Sequence, residues 1–401
     1  MPVSANAFTL PHTFLRQNPK KVFQDLAKAH FSGIHLALNY HGSRDFLLRQ
    51  GPQLEYLQDG FHYYLPNLEA YAGNALRPNS MDHLSDNFML DQVLLAADSF
   101  EMNVNAWLVF SHNSSIGRKN PECTITNVFG NHFLSDLCPS NPKVKQYFLG
   151  MVRDLVSRGV QGITAESLHF HGSRHGDHHE RFFIEMSPTT EFLFSLCFCP
   201  SCIANFDEQG GEGEKLKRKV ASVLLPFLEE ADEWLSNSTL QINLLEVIGP
   251  EILQYLACRE KTVELIYAEI AKLTSPKSVK ISYVDQSPLI DTSSIQPAAL
   301  SWLFGVDTGA LRKHVDTFLP LMYRALTADI RALAMNYKEK VGGEIGSILR
   351  PTYPDSVTSS NLIDKVQTLQ SIGISNIDFY LLDTWRSRDL QRVAEALERI
   401  A

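Results

Sequence analysis

The sequence lacks the features that mark several large classes of protein. No run of about 18 or more apolar residues occurs, so no transmembrane helix is expected. No block of lysine or arginine occurs either. The formal net charge of -9 is opposite in sign to that of most proteins that hold nucleic acid by its phosphates. The first residues do not join a basic start to an apolar core, so no secretory signal is predicted. We therefore expect a globular cytoplasmic protein without a nucleic-acid or membrane partner.

Cysteine is also scarce, with 6 residues among 401. Without a secretory signal, these cysteines do not predict a disulfide framework. Cys197, Cys199 and Cys202 nevertheless form a C-x-C-x2-C run. Three thiolates at this spacing can bind a structural zinc ion together with one further ligand, and a buried group of free thiols is the alternative. The candidates for the fourth ligand are Cys123, Cys138, Cys258 and a histidine of the preceding loop.

Short apolar runs alternate with longer amphipathic ones along most of the chain. The predicted strands cover 5–10, 33–39, 103–110, 162–166, 279–284, 318–323, 344–349 and 377–382. The predicted helices include 19–29, 85–100, 143–157, 308–315, 325–340, 361–372 and 390–400. Repeated strand–helix units predict parallel strands, and eight units can close a (β/α)8 TIM barrel. A doubly wound open sheet is the alternative, but no glycine-rich turn follows the first strand.

We expect one barrel domain over residues 1–401, interrupted by an insertion at 167–277 after the fourth strand. The insertion holds a histidine-rich loop at 169–179, the cysteine run and two long helical patterns. The loop contains five of the chain's 14 histidines. A solvated loop, a metal site, and direct substrate contact by His169 or His171 are three open interpretations of it.

Catalytic groups of TIM barrels lie at the C-terminal ends of the strands and in the loops that follow. Glu166 ends the fourth strand after an apolar run, and it is the first catalytic candidate. Glycoside hydrolysis uses one carboxyl group to protonate the leaving oxygen and another to attack or to activate water. Asp285 after the fifth strand and Asp383 after the eighth are the candidates for the second carboxylate, and the choice between them is open.

Aromatic rings, histidines and arginines at the same rim suit sugar recognition, because sugars offer both hydroxyl groups and apolar C–H faces. The predicted substrate-binding residues are His41, His112, His132, His169, His171, Tyr323, Arg350, Tyr353 and Trp385. Arg350, Arg386 and the histidines could also accept one anionic group on a sugar.

Two segments carry a resemblance to a known family. The run LCPSNPKV at 137–144 leads through a helix to GVQGI at 159–163 and then to Glu166. This arrangement resembles the hypothetical glycoside hydrolase-like TIM-barrel proteins. The cysteine run up to Phe206 is similar to an element of several of them, and a comparable cluster in bacterial β-galactosidases of the thermophilic type can hold zinc. The resemblance covers about residues 100–206. It implies a barrel, a carbohydrate-related activity and Glu166 as the acidic residue of strand four.

The chain departs from the large clan of retaining hydrolases at two positions. Ala165 stands where the clan places asparagine, and Arg350 follows the seventh strand where the clan places glutamate. The two-glutamate mechanism is therefore not transferred to this chain.

The sequence predicts a glycosidase for a small glycoside, with Glu166 as general acid/base and no cofactor needed for catalysis. One alternative is a metal-dependent sugar isomerase or epimerase that uses Glu166, Asp285 and a histidine as ligands. The other alternative is a carbohydrate-binding barrel without catalysis. The expected partner is a small carbohydrate, and the chain could form a homo-oligomer.

Overall fold

The computed structural model describes residues 3–49, 51–80, 88–174, 180–184, 186–230, 240–290 and 296–400. The strands are β1 Asn6–Thr9, β2 Gly33–Tyr40, β3 Ser43–Leu47, β4 Gln53–Leu57, β5 Phe61–His62, β6 Asn79–Ser80, β7 Asn103–Val109, β8 Thr124–Thr126, β9 His132–Leu137, β10 Gly162–Glu166, β11 Lys280–Asp285, β12 Thr317–Pro320, β13 Glu344–Leu349 and β14 Asn376–Phe379. The α-helices are α1 Pro11–Arg16, α2 Pro19–Lys28, α3 Phe88–Asp98, α4 Ser114–Lys119, α5 Pro142–Ser157, α6 Pro188–Ser195, α7 Pro200–Glu208, α8 Gly213–Glu230, α9 Leu240–Val247, α10 Glu251–Thr274, α11 Thr308–Leu311, α12 Thr327–Lys340, α13 Ser359–Ser371 and α14 Ser387–Glu398.

Eight of these strands form a closed parallel barrel. Their order around the barrel is β1, β2, β7, β10, β11, β12, β13 and β14, and β1 closes the ring by pairing with both β2 and β14. The predicted (β/α)8 barrel is confirmed, and the alternative of an open sheet is wrong. The sixth strand ends at Pro320, earlier than predicted. Proline has no N–H group, so Pro320 cannot donate a backbone hydrogen bond to a neighbouring strand.

Local sequence explains why the elements form where they do. Every residue of β2 is buried, as expected for a barrel strand that is covered on both faces. Helix α5 begins as the sequence predicts, because Pro142 occupies the first turn and the Asn141 side chain accepts a hydrogen bond from the Lys143 N–H at 2.9 Å. Its buried side then packs outside the barrel.

The barrel interior consists of a polar layer and an apolar layer. In the polar layer His35 contacts the Thr164 hydroxyl at 2.6 Å and the Asp378 carboxylate at 3.0 Å. The Asn6 side chain also donates to Asp378 at 2.8 Å. The apolar layer contains Phe8, Ala37, Trp107, Val109, Val284, Leu319 and Ile348. Because side chains fill the interior, a ligand can enter only at the end of the barrel.

Three long segments follow barrel strands at the C-terminal end of the barrel. The hairpin β3–β4 follows β2, the hairpin β8–β9 follows β7, and helices α6 to α10 lie between β10 and β11. The two long helical patterns correspond to α8 and α10. The assignment of residues 1–401 to one domain with an insertion stays a prediction. Within the described ranges, no helix has the length and apolar character needed to cross a bilayer.

Candidate functional site

A cavity of about 400 Å³ lies at the C-terminal ends of the barrel strands. Each of the eight strands, or the short segment just after it, contributes a side chain to the wall. In barrel order these side chains are Phe8, Tyr40, Trp107, Glu166, Gln286, Tyr323, Arg350 and Tyr380. A concave site of this volume, mostly aromatic with a few polar groups, suits a small ligand.

Glu166 lies in this wall at the end of β10, where the sequence analysis placed it. Its carboxylate accepts a hydrogen bond from Trp107 Nε1 at 2.6 Å and another from Gln286 Nε2 at 3.2 Å. Trp107 lies on the neighbouring strand β7, and Gln286 directly follows the neighbouring strand β11. The two donors fix the direction of the carboxyl group.

Three tyrosines stand on the opposite arc of the wall. The hydroxyls of Tyr40 and Tyr380 are 3.4 Å apart, and the ring centroids of Tyr380 and Tyr323 are 5.9 Å apart. Burial raises the pKa of each hydroxyl, and the charge of Glu166 raises it further. The three phenols therefore stay protonated and can donate hydrogen bonds to a ligand.

Arg350 completes the polar part of the wall. Its guanidinium lies 4.3 Å above the ring centroid of Tyr323, and its Nε donates to the Asp355 carboxylate at 2.5 Å. The side chain is 33% exposed. The structure thus holds one cationic group beside the aromatic arc.

The predicted histidines form a row of rings that reaches the cavity at one end. His41 lines the cavity and lies 4.1 Å from Tyr40, between ring centroids. His112 lies behind it at 5.3 Å, and His171 and His169 follow at 6.4 and 4.7 Å. Burial lowers the pKa of His112, but the hydrogen bond and charge of Asp59 outweigh it, and the net direction is upward. Of these four histidines, only His41 is part of the cavity wall.

The remaining histidines of the 169–179 loop, His175, His178 and His179, lie outside the described residues. The interpretations of this loop as a solvated segment or a metal site therefore stay predictions. His132, on β9, contacts the hydroxyls of Thr124 and Thr126 at 3.2 and 3.1 Å and does not line the cavity.

The structure does not bring the two candidate aspartates to the cavity. Asp285 is fully buried and accepts hydrogen bonds from Ser287, Ser301 and Tyr337, the last at 2.7 Å. Its carboxylate turns away from the cavity because its partners lie in the segments that follow β11 and in helix α12.

Asp383 is buried on the other side of the barrel end. It accepts from the Leu10 N–H at 2.7 Å and from the hydroxyls of Thr9 and Thr13. Burial raises its pKa to about 6. These contacts join the segment after β14 to the segment after β1, which is a structural role.

Two predicted aromatic contacts also lie elsewhere. Trp385 is fully buried against Phe31, and Tyr353 is 82% exposed outside the cavity. Conversely, Trp107, Gln286 and Tyr380 line the cavity but are not among the site residues predicted from the sequence. The alternation of β7 could have indicated Trp107. The sequence predicts a strand at 377–382 with Tyr380 inside it, but β14 ends at Phe379 and leaves Tyr380 at the rim.

The cysteine run forms a buried cluster with Cys138, which follows β9. The Sγ atom of Cys138 lies 3.5 Å from that of Cys202, 3.6 Å from that of Cys199 and 3.7 Å from that of Cys197. Tetrahedral geometry with Zn–S bonds of about 2.3 Å places sulfurs about 3.8 Å apart, so the four thiols fit a zinc ion. The Thr126 N–H points at the Cys197 sulfur at 3.3 Å, which stabilises a thiolate.

The sequence leaves the fourth ligand open. In the described part of the chain, Cys138 completes the cluster, and Cys123 and Cys258 lie outside it. None of the four cysteines lines the barrel cavity. The cluster is therefore a candidate metal centre separate from the cavity.

No protein-family model matches the chain, and no curated protein matches its sequence. Among solved structures, it is similar to a β-galactosidase from the psychrophilic Marinomonas ef1, with a TM-score of 0.59 and 8% identity over 99% of this chain and 59% of that chain. It is also similar to α-L-fucosidase isoenzyme 2 from Paenibacillus thiaminolyticus, with a TM-score of 0.56 and 10% identity over 100% of this chain and 49% of that chain. The chain thus spans between about half and three fifths of their lengths. At this identity the likeness shows the fold, a distant resemblance to the TIM barrels of glycoside hydrolases.

Proposed function

We propose that the protein is a glycoside hydrolase that cleaves a small glycoside in the barrel cavity, with Glu166 as general acid/base. One observation carries the proposal. Glu166 lies at the end of the fourth strand in a cavity ringed by aromatic side chains, and its carboxylate is held by Trp107 and Gln286. Aromatic rings bind the C–H faces of sugars, and a positioned carboxyl group can donate a proton to the glycosidic oxygen. The resemblance in fold to glycosidases agrees with this reading.

The side chains of the wall divide the work. Glu166 donates a proton to the leaving oxygen while the second carboxylate attacks the sugar carbon, and it then removes a proton from the water that displaces that carboxylate. Trp107 and Gln286 keep its carboxyl group aimed into the cavity. The protonated hydroxyls of Tyr40 and Tyr380 donate to sugar oxygens and fix the ring in place.

Most glycosidases need a second carboxylate, and we propose Asp45 in place of Asp285 and Asp383. Asp45 lies on the half-buried face of the hairpin β3–β4, directly opposite Glu55, and accepts from the Ser43 hydroxyl at 2.5 Å. Its charge adds to the effect of burial and of Glu166 in raising the pKa of Tyr40 and of Tyr380. Asp45 does not itself line the cavity. Its hairpin follows β2 at the cavity end of the barrel, and we propose that its carboxylate reaches the sugar from there as the nucleophile.

The test measures release from a panel of small aryl glycosides, with and without chelator. We expect Glu166→Gln to lower kcat/KM by about 10²- to 10⁴-fold, the usual contribution of a general acid or base, and chelator to have no effect. Asp45→Asn should also lower the rate, whereas Glu55→Gln on the same hairpin face should not. Full activity of Glu166→Gln would remove Glu166 from the mechanism, and equal activity of Asp45→Asn and Glu55→Gln would remove Asp45.

The two alternative functions receive less support from the geometry. A metal-dependent isomerase needs ligands around the cavity. Across the residues that the structure describes, the only group of histidine, cysteine and acidic side chains arranged for a metal is the cysteine cluster, outside the cavity. A non-catalytic binding barrel would bind a sugar tightly and release no product from any glycoside.

We further propose that the cysteine cluster holds a structural zinc ion. Four thiolates fill a tetrahedral coordination sphere and leave no position for water or substrate, which is typical of structural sites. The ion would link Cys138, after β9, to the segment 197–202. It would thereby join the loop after the third barrel strand to the insertion after the fourth.

A further inference from the structure

We infer that the substrate carries a carboxylate, as in a glycoside of a uronic acid, and that Arg350 binds it. The inference rests on the proposed function and specifies its substrate class. It starts from an arginine that lines the cavity at the end of the seventh barrel strand. Among the described residues in the cavity wall, Arg350 is the one lysine or arginine.

The hydrogen-bonding groups of Arg350 are only partly used. Its Nε donates to Asp355 at 2.5 Å. Its two terminal amino groups form no hydrogen bond with any residue in the described ranges. With the side chain 33% exposed in a cavity wall, these groups remain available to a ligand. Paired guanidinium N–H groups match the two oxygens of a carboxylate and bind it bidentately.

A supporting network holds this guanidinium in place. One of its faces lies over the ring of Tyr323 at 4.3 Å. Behind Asp355, the buried ammonium of Lys365 donates to the Asp355 carbonyl at 2.5 Å and to the Arg324 carbonyl at 2.8 Å. Lys365 thus fixes both the residue that pairs with Arg350 and the residue next to Tyr323. An arginine held by stacking and by buried contacts is preorganised for recognition.

The position of Arg350 relative to Glu166 fits an acidic sugar. Glu166 and Arg350 act on the same two hydroxyls, those of Tyr323 and Tyr380, with opposite effects on the pKa. Both side chains line the cavity, and Tyr323, on which Arg350 stacks, follows β12, which lies between the strands of Glu166 and Arg350 in the barrel. In a pyranuronic acid the carboxylate is carried by C5, which is joined to the reacting C1 through the ring oxygen. One sugar ring can then present its C1 to Glu166 and its carboxylate to Arg350.

The turnover experiment compares matched pairs of 4-nitrophenyl glycosides. The pairs are glucuronide with glucoside and galacturonide with galactoside, each in both anomeric forms. The variants are Arg350→Gln, which removes the charge, and Arg350→Lys, which keeps the charge and the ion pair but lacks the paired N–H groups of the guanidinium. Arg331→Gln, at an exposed position on α12, is the matched control. Thermal unfolding of each variant separates loss of fold from loss of recognition.

We expect at least one uronide to be cleaved faster than its neutral partner. Charge-assisted hydrogen bonds are worth about 1.5–3 kcal/mol, so Arg350→Gln should lower kcat/KM for that uronide by about 10- to 100-fold. The loss for the neutral partner should be clearly smaller than that for the uronide, Arg350→Lys should fall in between, and Arg331→Gln should match the wild type. Preferential cleavage of neutral glycosides, or an equal loss for both members of a pair, would overturn the inference while leaving the hydrolase intact.

A binding experiment separates the two proposals. Calorimetric titration of Glu166→Gln compares glucuronate and galacturonate with glucose, galactose, glucose 6-sulfate and glucose 6-phosphate. Tighter binding of a uronate that is lost in Arg350→Gln would support the inference even if no glycoside is cleaved, in which case the proposed function alone fails. Tighter binding of the sulfate or phosphate ester, or no dependence on Arg350, would overturn it.

Discussion

Removal of metal from the cysteine cluster is the perturbation with the sharpest expected result. The cluster predicts one zinc ion per chain, since the Cys138 sulfur lies 3.5–3.7 Å from the other three, close to the spacing in a tetrahedral zinc–thiolate site, and all four sulfurs lie within 4.8 Å of one another. Native protein should contain about one equivalent of zinc. Cys202→Ser should contain none, because three thiolates no longer enclose the ion. Cys258→Ser is the matched control, since Cys258 is buried but lies outside the cluster.

The expected loss of stability follows from binding linkage and chain length. Free zinc at 1,000 times its Kd stabilises the folded state by about 4.1 kcal/mol. For 401 residues, an unfolding entropy of about 2.1 cal/mol/K per residue amounts to about 0.84 kcal/mol/K. The two values together predict that chelation lowers Tm by about 5 °C, and tighter binding would enlarge the shift.

Elemental analysis by mass spectrometry, thiol titration and calorimetry check these numbers. All 6 thiols are buried, so a difference in reactivity between zinc-loaded and zinc-free protein should be confined to the four cysteines of the cluster. The reasoning is refuted if protein prepared without metal takes up no zinc, or if it melts at the same temperature with and without zinc. Equal zinc contents in Cys202→Ser and the wild type would also refute it.

Three further predictions concern the cavity and the barrel ends. Trp107→Phe removes the donor to Glu166 while keeping an aromatic ring, so kcat/KM should fall by about 10-fold or more. Tm should also fall, because the smaller ring leaves a cavity in the apolar layer, so the rate is measured well below Tm. An unchanged rate would show that Glu166 needs no such donor. Burial raises the pKa of Asp383 to about 6, so the folded state favours the protonated carboxyl group. The protonated group therefore stabilises the fold fully below pH about 4, and this contribution is lost as the pH rises through about 6. Denaturation of Asp383→Asn should therefore vary less with pH across that window than denaturation of the wild type, and parallel profiles would contradict the assignment. Gly60 and Gly73 both have positive φ, but only at Gly60 would a new Cβ clash with the side chain of Asn113. Gly60→Ala should therefore lower Tm more than Gly73→Ala. Equal losses would mean that backbone strain alone, and not the clash, sets the loss.

The barrel could be predicted from the sequence because the pattern of apolar residues that defines each strand and helix is local and is repeated eight times. Each strand is a short buried run, each helix is an amphipathic one, and eight repeats leave few topologies. Glu166 could be placed for the same reason, since it directly follows a buried strand. The boundary errors at the sixth and eighth strands were small, but the second one moved Tyr380 from a predicted strand interior to the rim of the cavity.

The direction of the two aspartates could not be predicted, because distant residues decide it. Asp285 ends a barrel strand as Glu166 does, yet Tyr337, 52 positions later, helps to turn its carboxylate away from the cavity. Asp383 is captured by Thr9, Thr13 and Leu10, more than 300 positions earlier. The fourth cysteine ligand is similar, since Cys138 meets Cys197 across 59 positions and only tertiary packing distinguishes it from the other candidates.

The closure of the barrel by its first strand also sets the order in which the chain can fold. Asn6 and Asp378, joined by two hydrogen bonds, are 372 positions apart. On the ribosome the ring stays open until β14 has left the exit tunnel, and the growing sheet meanwhile exposes the free edges of its first and last finished strands. Such edges pair readily with other chains. The yield of native protein in cells is therefore expected to depend on the rate of synthesis and on chaperones.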